Sequence, residues 1–341
     1  MTVRPDIRMK PTFVWDPAYD FTWMQQSLLW RRMQAKHPSP VGKYVALRER
    51  LQADGLLTAE TSVDALPLTR QDFERVHAPQ YLNRLDFVAR LNALSLGVLG
   101  LLLTPTLGRL DYLPTHKKLI EFAKAGCAGT YTAAKLALQQ RRAVMNLGGG
   151  FHHAFPNTEH GYCHLNDVAV AIEKLRAEDG IKKFMVIDLD VHNGNGTAFI
   201  FRNDDSVFTF DLYQSDNNYP FQMIQGDHPI GLCGKVVDVG DDRYLSQLSC
   251  LPGLLDEVRP ELVFYLAGAD PYEHDKLGEF KVTTQGLAAR DKYVLETLHD
   301  LRIPAAVMLA GGYPQTPDRL DEIVQIHYNT AVEVARLAQE R

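Results

Sequence analysis

Apolar residues along this chain recur with two different periods, and the change from one to the other divides it. In the first part the spacing is helical and predicts helices over residues 21–36, 43–54 and 70–93. The last of these should break near Pro79, where the missing amide hydrogen and the ring's clash interrupt a helix. Pro and Gly punctuate residues 97–114, which read as a long surface loop; a helix with a close-packing Ala- and Gly-rich face follows over residues 119–139. Beyond it, short apolar runs alternate with helical stretches. RAVMNL (142–147), KFMVIDLDVH (183–192), VFTFDL (207–212), LVFYLAGAD (262–270) and AAVMLAGG (305–312) read as strands, and residues 164–178, 285–301 and 318–338 as helices. Strands that are apolar on both faces and separated by helices indicate a parallel sheet covered on both sides. The expected fold class is therefore α/β, a three-layer α/β/α arrangement around a central, mainly parallel sheet. With no repeat or long polar linker, residues 1–341 read as a single domain, of which residues 1–93 are a largely helical N-terminal part.

Composition narrows the function more than the fold. The chain is 45% hydrophobic and 23% charged, enough for a large core. A net charge of -6, with no dense Lys/Arg block, argues against a nucleic-acid partner. Cys127, Cys163, Cys233 and Cys250 form no CxxC pair and are expected to be reduced thiols. The longest apolar run, LSLGVLGLLL (94–103), is too short to span a membrane, and no apolar leader opens the sequence. A cytoplasmic protein without a membrane span is the expectation.

The chemistry sits where the strands end. In open parallel sheets ligands bind at the carboxyl ends of the strands, and four of these ends are unusual: GGGFHH (148–153), DLDVHNGNG (188–196), AGADP (267–271) and AGGYP (310–314). Asp190 and His192 lie two residues apart, so an extended backbone presents both on one face. Burying carboxylates there is costly unless something compensates them. With Asp270 they make two carboxylates and one imidazole, the three-ligand pattern of a catalytic zinc site that keeps one position open. Each piece has an ordinary reading as well. A lone DxH is often a loop contact, GGG and AGG are tight turns, and Asp270 before Pro271 fits a turn or cap. It is their joint occurrence at four strand ends that points to a site.

These motifs, with GYCHLND (161–167) and VHAPQYLNRL (76–85), resemble in order those of the zinc-dependent histone deacetylase superfamily, which has the arginase/deacetylase fold. Phe151, Asn195 and the short AGGY segment most resemble its class IV branch. The resemblance implies a lysine deacylase, a deacetylase or long-chain fatty deacylase acting through a metal-activated water. By position, Asp190, His192 and Asp270 match the zinc ligands. His153 matches the general base and later acid, His152 an electrostatic stabiliser, and Asp188 the carboxylate that orients it. Tyr313 matches the tyrosine that polarises the amide carbonyl. Phe151, Gly161, Tyr219 and Gly311 fall at substrate-binding positions, and Asp188 and Asp211 where the family holds a structural K+ or Na+. The implied partner is an acylated lysine in a protein or peptide, or a small acylated amine; oligomeric state is open.

Two departures change the expectation. Asn195 stands where many members carry an Asp, so His153 loses a full negative charge at its back and should be less basic. In LDYLPTH (110–116) the substrate-gripping Asp would align with Tyr112, leaving Asp111 one place off. The apolar loop at residues 94–113 either lines a pocket for a fatty acyl chain or packs as core. A two-manganese arginase-like enzyme would need a carboxylate two residues beyond His192, where Gly194 stands. A hydrolase of acylpolyamines, and an acyl-lysine binding protein without catalysis, remain as alternatives, the second opposed by the complete set of ligands, His pair and Tyr313.

Overall fold

In the computed structural model, which describes residues 10–22, 42–90, 112–214 and 239–340, seven strands form one sheet. They are β1 (Phe13–Trp15), β2 (Ser62–Asp64), β3 (Ala143–Asn146), β4 (Phe184–Asp188), β5 (Val207–Asp211), β6 (Leu262–Leu266) and β7 (Ala305–Met308). Their order is β2-β1-β3-β7-β6-β4-β5, and every pairing is parallel. The helices that concern the site are α1 (Lys43–Ala53), α2 (Arg70–Glu74), α3 (Pro79–Arg90), α4 (Tyr112–Gln140), α5 (Asp167–Asp179), α6 (Asn195–Phe201), α7 (Asp241–Gln247), α8 (Leu251–Val258), α9 (Thr284–Asp300) and α10 (Leu320–Gln339).

Period-two alternation explains the layering. Along β4, Phe184 and Val186 pack with Ala133, Ala134 and Ala137 of α4 and Val168 and Ile172 of α5. Met185 and Ile187 face the other way, into a cluster with Leu47 and Leu51 of α1, Leu295 of α9 and Val334 of α10. Both faces of the strand are therefore dry, which accounts for the unbroken apolar runs. The three-layer α/β/α expectation holds, with a sheet that is wholly parallel among the described residues.

The N-terminal part departs from its helical reading. β1 and β2 come from it and extend the sheet at the β3 edge, Phe13 pairing with Met145 on one side and Ser62 on the other. Three-residue strands are too short for alternation to show, so they carried no periodic signal. The expected break at Pro79 is present, α2 ending at Glu74 and α3 beginning at Pro79. Most of the helix expected over residues 21–36 and most of the loop at 97–114 lie outside the described residues, although α4 begins at Tyr112, inside that loop's expected range.

Candidate metal centre

Because β3, β7, β6 and β4 are consecutive neighbours and all parallel, the four unusual strand ends open on the same edge of the sheet, side by side. Asp190 and His192 follow β4, and Asp270 follows β6. All three are buried, and one donor atom from each lies within 4.8 Å of the others. His192 Nδ1 lies 2.9 Å from Asp190 Oδ1 and 3.0 Å from Asp270 Oδ2. The remaining oxygens are held from outside: Gly311 N donates to Asp190 Oδ2 at 2.7 Å, and Val191 N to Asp270 Oδ1 at 2.9 Å.

The electrostatics fit a divalent cation. Burial, then the charge of Asp190, pushes the Asp270 carboxyl up to about 6. Burial opposes ionisation of Asp190 too, but His152 and His192 outweigh it and hold its carboxyl well below the usual range. For His192 the two carboxylates outweigh the cost of burial and raise the imidazole well above its ordinary value. The proton that this favours on Nδ1 occupies the place where a cation would be bound. Two carboxylates and one imidazole neutralise a 2+ ion and leave a coordination position free, the donor set of catalytic zinc.

The tandem histidines leave β3 through GGGFHH, a turn pinned by Asp167: Gly150 N donates to its Oδ2 at 2.9 Å and Phe151 N to its Oδ1 at 2.6 Å. Behind them, His152 Nδ1 lies 2.7 Å from Asp188 Oδ2, and His153 Nδ1 lies 2.8 Å from Asn195 Oδ1. Their environments separate two adjacent imidazoles. Burial presses His152 toward neutrality, but Asp188, Asp190 and Asp211 overcome it and bring it up to about 9. Burial lowers His153 well below its ordinary value, and His152 and His192 lower it further. The amide of Asn195 offsets this only by a hydrogen bond. The His153 ring lies 5.9 Å from the His192 ring, and the Tyr313 ring, carried by the segment after β7, lies 6.2 Å from the His192 ring. Asp275 holds Tyr313 by accepting from its backbone N at 2.5 Å.

The other expected residues that the structure describes fall into three groups. Gly311 lies against the ligand carboxylates, where an added Cβ would fall 2.1 Å from Asp270 Oδ2 and 2.5 Å from Asp190 Oδ2. Gly161 (φ +51°) backs His153, its would-be Cβ 2.1 Å from Cδ2, and buried Phe151 packs on Phe122 at 5.2 Å. Asp188 and Asp211 are neighbours across β4 and β5. Asp211 Oδ2 accepts from Gly194 N and Asn193 Nδ2, while its buried Oδ1 has no partner. Tyr219 lies outside the described residues.

Sequence reasoning missed several residues. Lys43 of α1 is buried and donates Nζ to the carbonyls of Ala310 (2.7 Å) and Gly311 (3.2 Å). Burial brings it down to about 8 against the pull of Asp270, Asp190 and Asp275. His160 places its ring edge-on to His153 at 5.5 Å. Tyr162, next to Gly161, is 58% exposed and adopts φ +63°, an unusual conformation for a bulky residue. Asp275 and Asp167 were legible as charges inside AGADPYEHDKLGEF and GYCHLND; Lys43, at the start of an ordinary charged helical stretch, gave no signal.

A family model described as the histone deacetylase domain matches residues 37–331. An uncharacterized protein of Picosynechococcus sp. is 36% identical over 279 residues, 82% of this chain and 87% of that one. Histone deacetylase 2 of Arabidopsis thaliana is 29% identical over 315 residues, 91% of this chain and 76% of that one. Histone deacetylase 8 of Xenopus laevis is 29% identical over 214 residues, 59% and 63% of the two chains. Among solved structures, the HDA15 HD domain superposes with a TM-score of 0.74 at 22% identity, covering 97% of this chain and 90% of that one, which is a likeness of fold.

Proposed function

The chain belongs to the histone deacetylase domain family, and from that premise we propose that it is a zinc-dependent hydrolase that removes an acyl group from the side-chain amine of an acylated lysine. One observation carries the reading: the Asp190, His192 and Asp270 donors converge beside two imidazoles whose environments drive their protonation apart.

Asp190, His192 and Asp270 would hold a zinc ion, which would supply Lewis-acid polarisation of the amide carbonyl and lower the pKa of a bound water toward neutrality. The chain's own residues do the rest. An amide oxygen can only accept, so the contact with Asn195 puts the ring hydrogen of His153 on Nδ1 and leaves Nε2 as its basic nitrogen. Kept neutral by burial, His153 takes the proton of the attacking water and later returns it to the departing lysine amine. His152, held as a cation by Asp188, stabilises negative charge that develops on the carbonyl oxygen. Tyr313, oriented by Asp275, donates its hydroxyl to that oxygen. Pairs of titratable groups with opposed environments mark acid and base roles, and the His pair has this character.

Phe151, Gly161 and Tyr219 line the path of the lysine stem in this reading, and Gly311 supports the ligand carboxylates beneath it. The unpartnered buried Oδ1 of Asp211, whose carboxyl is raised by burial and by Asp188, supports a structural K+ or Na+ beside Asp188. Phe151, Asn195 and AGGY favour the class IV branch. The free thiols of Cys127, Cys163 and Cys250 suit a cytoplasmic site of action. Among the described residues no helix is long and apolar enough to cross a membrane. The core shared by Phe13, Leu47 and Val334 supports one catalytic unit over residues 1–341.

The test is an acyl-length series, acetyl to myristoyl, on one lysine peptide, with an acylated polyamine alongside, each with and without chelator. Release of the acid that chelator abolishes and zinc restores is expected, and the preferred length separates deacetylase from fatty deacylase. Turnover of the polyamine alone would move the substrate to small amines. Binding of the peptides by the zinc-loaded protein without turnover would leave a non-catalytic acyl-lysine binder.

A further inference from the structure

Helix α9 buries two adjacent charges, Arg290 and Asp291, at 0% and 1% exposure. Nothing in LAARDKYVLETL (287–298) marks them out, and the cost of taking both out of water is large. Their partners explain the placement. Asp291 accepts from Arg290 Nε (2.7 Å), from Tyr265 Oη on β6 (2.5 Å) and from Thr330 Oγ1 on α10 (2.5 Å). So anchored, Arg290 points its Nη1 at the sheet edge and donates to the carbonyls of Gly268 (2.6 Å) and Leu189 (3.3 Å), leaving only Nη2 without a partner.

Those two carbonyls lie just upstream of the candidate ligands. Leu189 precedes Asp190, and Gly268 stands two residues before Asp270. The β4–β6 ladder pairs Asp188 with Leu266, and Leu189 N bonds to Leu266 O at 3.1 Å. Past that rung, among the described residues, no further backbone–backbone hydrogen bond joins the two segments; Val191 N reaches Asp270 Oδ1 across the gap, and Arg290 takes a carbonyl from each segment. A buried ion pair is a poor device for stability alone, since apolar residues of similar volume often serve as well. What no apolar side chain could do is hold two carbonyls at one nitrogen.

We propose that Arg290 is a positioning residue of the metal centre: by gripping Leu189 O and Gly268 O together it sets the separation of the segments that carry Asp190 and Asp270. This rests on the reading of Asp190, His192 and Asp270 as metal ligands. It predicts that loss of the grip loosens the ligand set without unfolding the protein, because outer groups that orient ligands typically account for about 10–100-fold in metal affinity.

The test compares the native protein with the double variant Arg290→Met, Asp291→Asn, which removes both charges together so that neither is left buried without its partner. Zinc affinity is read by chelator competition, the visible absorption of the Co(II)-loaded protein reports ligand geometry, and melting of the metal-free protein reports structure. The double variant is expected to bind zinc at least tenfold more weakly than the native protein and to shift the Co(II) bands, with metal-free melting temperatures alike. Equal affinity and an unchanged Co(II) spectrum would overturn the proposal, as would a loss of melting temperature with affinity per folded molecule intact. If the double variant does not fold, Arg290→Lys decides by the same readouts, since it keeps the cation beside Asp291 and removes the planar fork. A wild-type protein that binds no stoichiometric zinc would instead sink the metal reading itself, and the grip's assigned role with it.

Discussion

At the scale of single residues, the site depends on what stands immediately behind each functional group. Asn195 is the clearest case. It fixes the His153 tautomer but adds no charge, so burial and two neighbouring imidazoles keep His153 well below its ordinary pKa. A general base is active when unprotonated, so the acid limb of kcat/KM should lie at low pH in the native enzyme. In Asn195→Asp the new carboxylate stabilises the imidazolium, and the acid limb should move to higher pH. Superimposable profiles would show that position 195 does not face the base. Gly311 is a steric counterpart. A methyl there would lie 2.1 Å from Asp270 Oδ2 and 2.5 Å from Asp190 Oδ2, and both carboxylates are buried and held by backbone amides. Gly311→Ala should therefore weaken zinc binding at least about tenfold, as loss of ligand support typically does; competition with a metallochromic chelator measures it. The ligands themselves were legible in the sequence because chemistry restricts their types and a strand restricts their spacing. Lys43 and Arg290 were not, because what they hold at the site are backbone carbonyls, which leave no mark on the sequence.

At the scale of elements, α4 shows how packing reaches the site. Its glycines let it approach closely: a Cβ on Gly126 would fall 2.2 Å from Phe151 Cε2, and one on Gly129 would fall 2.2 Å from Tyr19 Oη. Gly to Ala inside a helix ordinarily gains about 1 kcal/mol. Here Phe151 is held between Gly126 and Phe122, so overpacking, at about 1–3 kcal/mol, should win. Gly126→Ala is expected to be destabilised in urea denaturation, and kcat should fall with it because Phe151 immediately precedes His152. A stabilised variant with full activity would show that the ring can move aside. The small-residue face of this helix was readable from sequence, whereas its target was not. The same holds for β1 and β2: three-residue strands leave no periodic trace and exist because the β3 edge pairs with them. Longer strands, buried on both faces, had to be continuously apolar and so announced themselves.

At the scale of the whole molecule, a parallel sheet brings residues separated by up to about half the chain to one edge, and the charge gathered there couples metal binding to protonation. Asp270 is raised to about 6, mainly by burial and then by Asp190, against about 3.9 for an unfolded Asp. In the metal-free protein its neutral form therefore favours folding at low pH, and that contribution disappears as pH rises through about 6. Zinc requires the carboxylate ionised and the His192 Nδ1 free of its proton, so protons compete with the ion for the Asp270 oxygens below about pH 6 and for the His192 nitrogen to higher pH still. Because a ligand bound only by the folded state stabilises it the more, the tighter it binds, the rise in melting temperature produced by zinc should be small at pH 5, grow as pH rises through about 6, and go on growing above pH 7 as His192 gives up its raised proton. Thermal melts with and without zinc across that range measure it. Asp270→Asn, which cannot ionise, should bind zinc much more weakly and lose the part of the pH dependence that lies near 6. An increment independent of pH in the native protein would mean that the ion is held by groups other than these.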